Sequence, residues 1–186
     1  IQKGQIFFVW ALVQSLVPMF SGGFADRYGY KRTISWSIAL KAIGYLLMAT
    51  QRDFYPFMFG CCVLALGTAV FKPGIQGTLV QSITNATSSV GWGTFYMVVN
   101  IGGFLGPPLA HYLYGISWPA VFYGCAVIVS LNFLMLFTYK EVPAGGDQKG
   151  TPWTIFKTTC INMARPWWLI PASMVAIILV FALPLD

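Results

Sequence analysis

Acidic residues are the scarcest functional groups in this chain. Only five of its 186 residues are Asp or Glu, against 11 Lys and Arg and a single His. Charged residues amount to 9%, whereas a soluble domain carries about 25%. So little charge cannot cover a water-facing globule that is 57% hydrophobic, and the composition implies an all-α polytopic membrane protein. The basic residues are scattered and form no dense patch interleaved with aromatics, which excludes nucleic acid as a partner. Cysteine is also sparse: Cys61, Cys62, Cys125 and Cys160 show neither CxxC spacing nor a nearby histidine pair, so they read as small apolar packers, and no metal or other cofactor is implied. The chain lacks an initiator methionine and a cleavable signal pattern and stops directly after an apolar run. It is therefore expected to be a fragment.

What is abundant is long apolar sequence. A membrane-crossing helix needs about 20 mostly apolar residues, and six stretches satisfy this: roughly Gln5 to Phe24, Thr33 to Thr50, Phe54 to Val80, Trp92 to Tyr114, Pro119 to Tyr139 and Trp167 to Leu185. The organisation expected is a bundle over 1–139, a polar connector over 140–165 and a last helix over 166–186. In the connector, Trp153, Phe156, Cys160 and Met163 recur at helical spacing with Lys157 on another face. That pattern suits a short helix resting on the inner leaflet and is equally compatible with a plain disordered connector.

The basic residues set the orientation. If the turn after the first span is cytoplasmic, Arg27, Lys31, Arg32, Lys140, Lys149, Lys157 and Arg165 lie inside, while Lys3 and Arg52 lie outside. Seven against two obeys the positive-inside bias. The chain is thus read as an integral, multi-pass protein of a plasma or bacterial inner membrane, in contact with lipid. Asn85-Ala-Thr87 has the form of a glycosylation sequon, but this topology puts it in the cytoplasm, where it is expected to stay unmodified.

Two lysines fall inside spans. An ammonium at the centre of the hydrocarbon costs about 2.5–3.5 kcal/mol on insertion scales, so such a residue usually faces a cavity or a partner. Lys72 continues a four-residue spacing from Thr68 to Gln76 and precedes Pro73. It is read as facing a ligand, the bland alternative being a lysine that snorkels to the headgroups. Lys41, with Ser37 and Tyr45 four residues to either side, is a second candidate, balanced against a purely stabilising pairing. In the next helix Trp92, Tyr96 and Asn100 share one face, and Asn100 with Tyr96 would hydrogen-bond a ligand or a neighbouring helix. Gly102, Gly103 and Gly106 follow as small residues that let helices approach closely. His111, near the outer end of its helix, reads as interfacial.

The basic turn carries a resemblance. Gly22, Asp26, Arg27, Gly29, Lys31 and Arg32 are similar to the loop between the second and third helices of the major facilitator superfamily. That resemblance implies that helices 2 to 7 of the fold are covered, and that these six residues form a conformational latch. Asp26 is expected to pair with Arg27, Arg32 or a neighbouring helix N-terminus, because a carboxylate at a helix C-terminus opposes the dipole. Leu66-Gly-Thr-Ala-Val-Phe-Lys-Pro-Gly-Ile-Gln-Gly-Thr-Leu79 and Phe95-Tyr-Met-Val-Val-Asn-Ile-Gly-Gly-Phe-Leu-Gly-Pro107 resemble the fourth- and fifth-helix motifs of proton-coupled oligopeptide transporters. What this implies is a transporter, not an enzyme, that moves a small solute such as a di- or tripeptide together with protons. Lys72 would meet the solute carboxylate or take part in the proton relay, and Tyr96 and Asn100 would bind peptide backbone and termini. Ser15 stands where that family usually has a tyrosine, three residues before Pro18. No carboxylate lies well inside a span, so a proton relay must be completed by residues beyond these 186. The alternatives are an exporter of drugs or other small organic compounds with the same fold, and a non-transporting membrane subunit that assembles with partner proteins.

Overall fold

The computed structural model describes residues 2–138, 141, 153–154, 157–158 and 161. Five helices follow in order: α1 (Gln2–Tyr28), α2 (Tyr30–Thr50), α3 (Phe54–Ser82), α4 (Ser88–Ile116) and α5 (Trp118–Thr138). These correspond to the first five expected spans, the first four extended by two or more residues at one or both ends and the fifth shifted by one. Their breaks have local causes. Gly29, with φ +90°, separates α1 from α2 in a conformation that L side chains rarely adopt. Asp53 in extended conformation precedes α3, and Pro56 falls in its first turn, where backbone N–H groups lack intrahelical partners. Ser117 caps α5, its Oγ accepting the Ala120 N–H at 3.2 Å.

Three helices, α2, α3 and α5, are individually long and apolar enough to cross a membrane. The limbs of α1, Lys3–Pro18 and Ser21–Tyr28, make an angle of 49° and together add a fourth. Pro18 lies at that bend and accounts for it. The 29-residue α4 is long enough, but Gly, Asn and paired Pro residues dilute its apolar character, and it does not pass on composition alone. The sixth expected span, 167–185, lies outside the described residues.

The chain divides into two compact units, Ile1–Lys149 and Gly150–Asp186. In the second, the described residues Trp153, Thr154, Lys157, Thr158 and Ile161 are helical, and Trp153 and Ile161 are exposed.

In the first unit α2 and α3 run antiparallel in the most extensive contact of the bundle, and α3 also packs along α1. Small residues make the α2–α3 approach possible. Gly60, Gly67 and Gly74 recur at seven-residue intervals on α3 and lie against Met48, Lys41 and Ile34 of α2. From the other side, a Cβ on Gly44 would stand 2.7 Å from the Leu64 backbone nitrogen. Backbone meets backbone there. Near the C-terminal end of α2, Met48, Cys61 and Leu64 form a buried cluster covered by Ile6, Trp10, Tyr45, Phe57 and Phe122. α4 contributes no buried residue, and among the described residues nothing lies within 4 Å of a Cβ built on Gly102, Gly103 or Gly106. The close approach expected at those glycines is thus not made within this unit.

Because the Leu64 backbone cannot yield, Gly44→Ala is expected to destabilise the detergent-solubilised protein by about 1–3 kcal/mol. Gly4→Ala, at a position with open space around it, should be neutral. Thermal unfolding of the two variants side by side checks this.

Candidate functional site

The candidate binding residues fall into three places. Lys72 and Gln76 are exposed on α3, with Thr68 half-buried one turn earlier. Thr68 donates its hydroxyl proton to Leu64 O at 2.9 Å, so the hydrogen-bonding capacity of this stripe rests with Lys72 and Gln76.

Tyr96 and Asn100 occupy a second place. Both are exposed on α4, where with Gly93, Met97, Ile101 and Phe104 they line a shallow groove. Trp92 stacks on Tyr96 with ring centroids 6.1 Å apart, and Phe95 meets Tyr96 edge-on at 5.5 Å. The aromatic face thereby orients the Tyr96 ring alongside Asn100. Lys72 does not share that groove.

Lys41 occupies a third place, the α2–α3 seam. It is buried, at 8% exposure, and its Nζ stands 3.4 Å from the centroid of the Phe71 ring, where the ring face offers electrostatic attraction in place of water. Ser37, one turn before it, is fully buried and donates to Gly67 O at 2.7 Å. Ser37 and Lys41, balanced in the sequence between a ligand contact and a stabilising pairing, are thus turned into the bundle. Phe71 and Phe95 also line an apolar cavity of about 340 Å³ with Ile34, Ile38, Ile75 and Asn132.

The hairpin residues form a connected structure. Gly29 makes the turn, and a Cβ there would also collide with the Glu141 carboxylate. Asp26 accepts a hydrogen bond from Tyr30 Oη at 2.6 Å, so among the described residues its partner is a side chain in the first turn of the neighbouring helix and not Arg27 or Arg32. Arg27 places its guanidinium 5.4 Å from the Tyr28 ring centroid, and its buried Nη1 has no hydrogen-bond partner among the described residues. A Cβ added to Gly22 would meet only Pro73, the neighbour of Lys72, at 3.9 Å. Arg32 is exposed and Lys31 half-buried.

Sequence reasoning missed how α3 is held. Pro73 has no N–H to give to the carbonyl four residues back, that of Ala69. Ser21 of α1 supplies a donor, its Oγ lying 3.4 Å from Ala69 O and 3.5 Å from Pro18 O. Gln14 Nε2 donates to Ala65 O one turn away at 3.0 Å. The rule for proline identifies the deprived carbonyl, but the donor 48 residues away becomes visible only in the fold.

A helical bundle, a glycine-bearing basic hairpin and a proline-bearing helix with an exposed lysine now stand together, and the family profile of the Major Facilitator Superfamily matches residues 1–185. The chain belongs to the Major Facilitator Superfamily. This is a family of transporters, which makes the protein an integral membrane protein. Among similar proteins, the quinolone resistance protein NorA of Staphylococcus aureus strain MRSA252 is 23% identical over 169 residues, covering 85% of this chain and 44% of NorA. The peptide transporter YePEPT of Yersinia enterocolitica is 30% identical over 152 residues, covering 77% of this chain and 29% of that protein. The chain thus spans less than half the length of these relatives. A crystal structure of a mutant of the peptide transporter POT matches with a TM-score of 0.67 at 21% identity, over 92% of this chain and 36% of that one. Its complex with alafosfalin matches with 0.60 at 22% identity, over 94% and 38%. These likenesses establish the superfamily fold.

Removing the Ser21 hydroxyl leaves the Ala69 carbonyl without its donor in a medium that offers no substitute. Ser21→Ala is expected to lower stability by about 1 kcal/mol. The same change at the exposed Ser82, which bonds only within its own helix, should have almost no effect. Denaturant titration in micelles distinguishes them.

Proposed function

We propose that this superfamily member is a secondary active transporter that carries small peptides or related carboxylate-bearing solutes in symport with protons, by alternating access. The observation that carries the reading is Lys72: a cation exposed on α3, about 15 Å along the helix axis from Ser82, with Gln76 one turn beyond it and Pro73 beside it. A lysine at that depth, open on its own helix, is placed to meet an anionic group in a water-filled path. Tyr96 and Asn100 on α4 supply an aromatic face and an amide suited to the peptide backbone and termini. Lys41, enclosed against Phe71, acts in this reading as a fixed positive charge behind the site. The described carboxylates, Asp26, Asp53 and Glu141, lie at or beyond helix ends, so the proton is assigned to groups outside the described helices. Gly22, Asp26, Arg27, Gly29, Lys31 and Arg32 serve as the conformational latch. The similarity to YePEPT and to structures of POT supports the peptide reading.

A second reading, export of drugs or other small organic compounds, is favoured by the exposed Tyr96 and Phe104 in the groove, with Trp92 and Phe95 packed on the Tyr96 ring, and by the similarity to NorA over 85% of the chain. Aromatic faces of this kind receive flat apolar solutes as readily as peptides.

In proteoliposomes with an imposed proton gradient, dipeptide uptake is expected. Lys72→Ala should reduce it by at least about tenfold, the factor that accompanies loss of one charge-assisted hydrogen bond. Uptake unchanged by Lys72→Ala removes that residue from the site, and gradient-driven extrusion of an aromatic dye without peptide uptake selects the exporter reading. Asp26→Asn should lower the maximal rate while the half-saturating concentration stays within about twofold, because a latch alters the populations of the two states and leaves solute contacts alone.

A further inference from the structure

Tyr30 lies between two of the proposed latch residues and is buried, at 3% exposure. Its side chain joins three helices. The hydroxyl belongs to the first turn of α2 and donates to Asp26 in the last turn of α1 at 2.6 Å. The ring lies against α3 at Gly77, where an added Cβ would come within 2.5 Å of Cε1 and 2.9 Å of Cζ. α3 is thus hollowed at one position to receive this ring. Gly77 follows Gln76 directly and stands five residues beyond Lys72, about 7.5 Å along the axis.

We propose that Tyr30 is the positioning residue through which the hairpin carboxylate acts on α3, so that the state of Asp26 is transmitted to the helix bearing Lys72. The inference rests on the reading of the hairpin as a latch and adds the strut that makes it one. A buried phenol requires a partner for its proton, and a carboxylate at a helix C-terminus is disfavoured by the dipole unless a donor compensates it. Each group supplies what the other lacks, and Gly29 with φ +90° is the turn that puts them one helical turn apart in sequence and face to face in space. A ring seated on a glycine cannot slide along the helix without meeting side chains on either side. Displacing Asp26 therefore shifts the ring, and with it α3 at the turn next to Gln76. Pro73, with its missing backbone hydrogen bond, is where α3 bends most readily.

The test is hydrogen–deuterium exchange of the full chain in nanodiscs, comparing wild type, Tyr30→Phe, Asp26→Asn and the double variant. Tyr30→Phe retains the ring and so the packing on Gly77, which separates loss of the hydroxyl from failure to fold. The expected result is that each single variant speeds exchange in the inner half of α3 by about threefold to tenfold, and that the double variant goes no further than either one. Tyr30→Phe should also reproduce the Asp26→Asn kinetic pattern, a lower maximal rate at nearly constant half-saturation, which a merely structural packing role would not produce. If Asp26→Asn changes exchange while Tyr30→Phe matches wild type, the strut is wrong and the latch stands. Additive effects in the double variant likewise overturn the strut, since the residues then act independently. If neither variant changes exchange, latch and strut fall together. The exchange readout needs no solute and is independent of what is carried.

Discussion

Everything in the first unit depends on how closely α3 can be approached. A helix in lipid satisfies its own backbone and gains nothing from hiding apolar surface among equally apolar tails, so what holds helices together is close van der Waals contact and the occasional side-chain hydrogen bond. α3 provides both. Its glycines admit α2 until backbones touch, and its carbonyls at Ala65, Gly67 and Ala69 accept donors from Gln14, Ser37 and Ser21. Donors reach one stretch of α3 from two sides, and that stretch lies directly before Pro73. α3 is thus held from α1 and α2 before its proline, and the Tyr30 ring lies against it at Gly77 after the proline.

The two intramembrane lysines show how packing assigns different work to the same residue type. Lys41 and Lys72 have the same solvation cost and similar polar spacing around them. Lys41 lies on the seam where Gly67 opens room for its stem, and its ammonium rests on the Phe71 ring. Lys72 is on the face of α3 that the seam leaves uncovered. One cation is part of the bundle interior, the other is exposed. Phe71, the ring that meets the Lys41 ammonium, immediately precedes Lys72 in the chain.

The helices were legible in sequence because a span has to be long and apolar, and the breaks fall at residues with strong local preferences, such as Gly29 and the Ser117-Trp118-Pro119 turn. The fourth span was found in spite of diluted hydrophobicity because Trp92 to Tyr114 is unbroken by charge. The hairpin was legible as a motif, but the identity of the partner of Asp26 was not. Tyr30 carries no signal as a latch residue until the turn at Gly29 and the hollow at Gly77 are seen together. The seven-residue repeat of Gly60, Gly67 and Gly74 was present in the sequence, yet a small-residue repeat does not say which helix it receives.

By itself the sequence determined that this is a multi-pass helical membrane protein, where its first five helices run and which residues resemble a transporter's motifs. Those properties follow from local rules: apolar length and the special backbone of glycine and proline. Only the tertiary structure decided that Lys41 turns inward while Lys72 stays open, that Ser21 completes the carbonyl Pro73 leaves bare, and that Tyr30 ties the hairpin to α3. Each of these depends on two residues far apart in the chain meeting within a few ångströms, and no local rule specifies the partner.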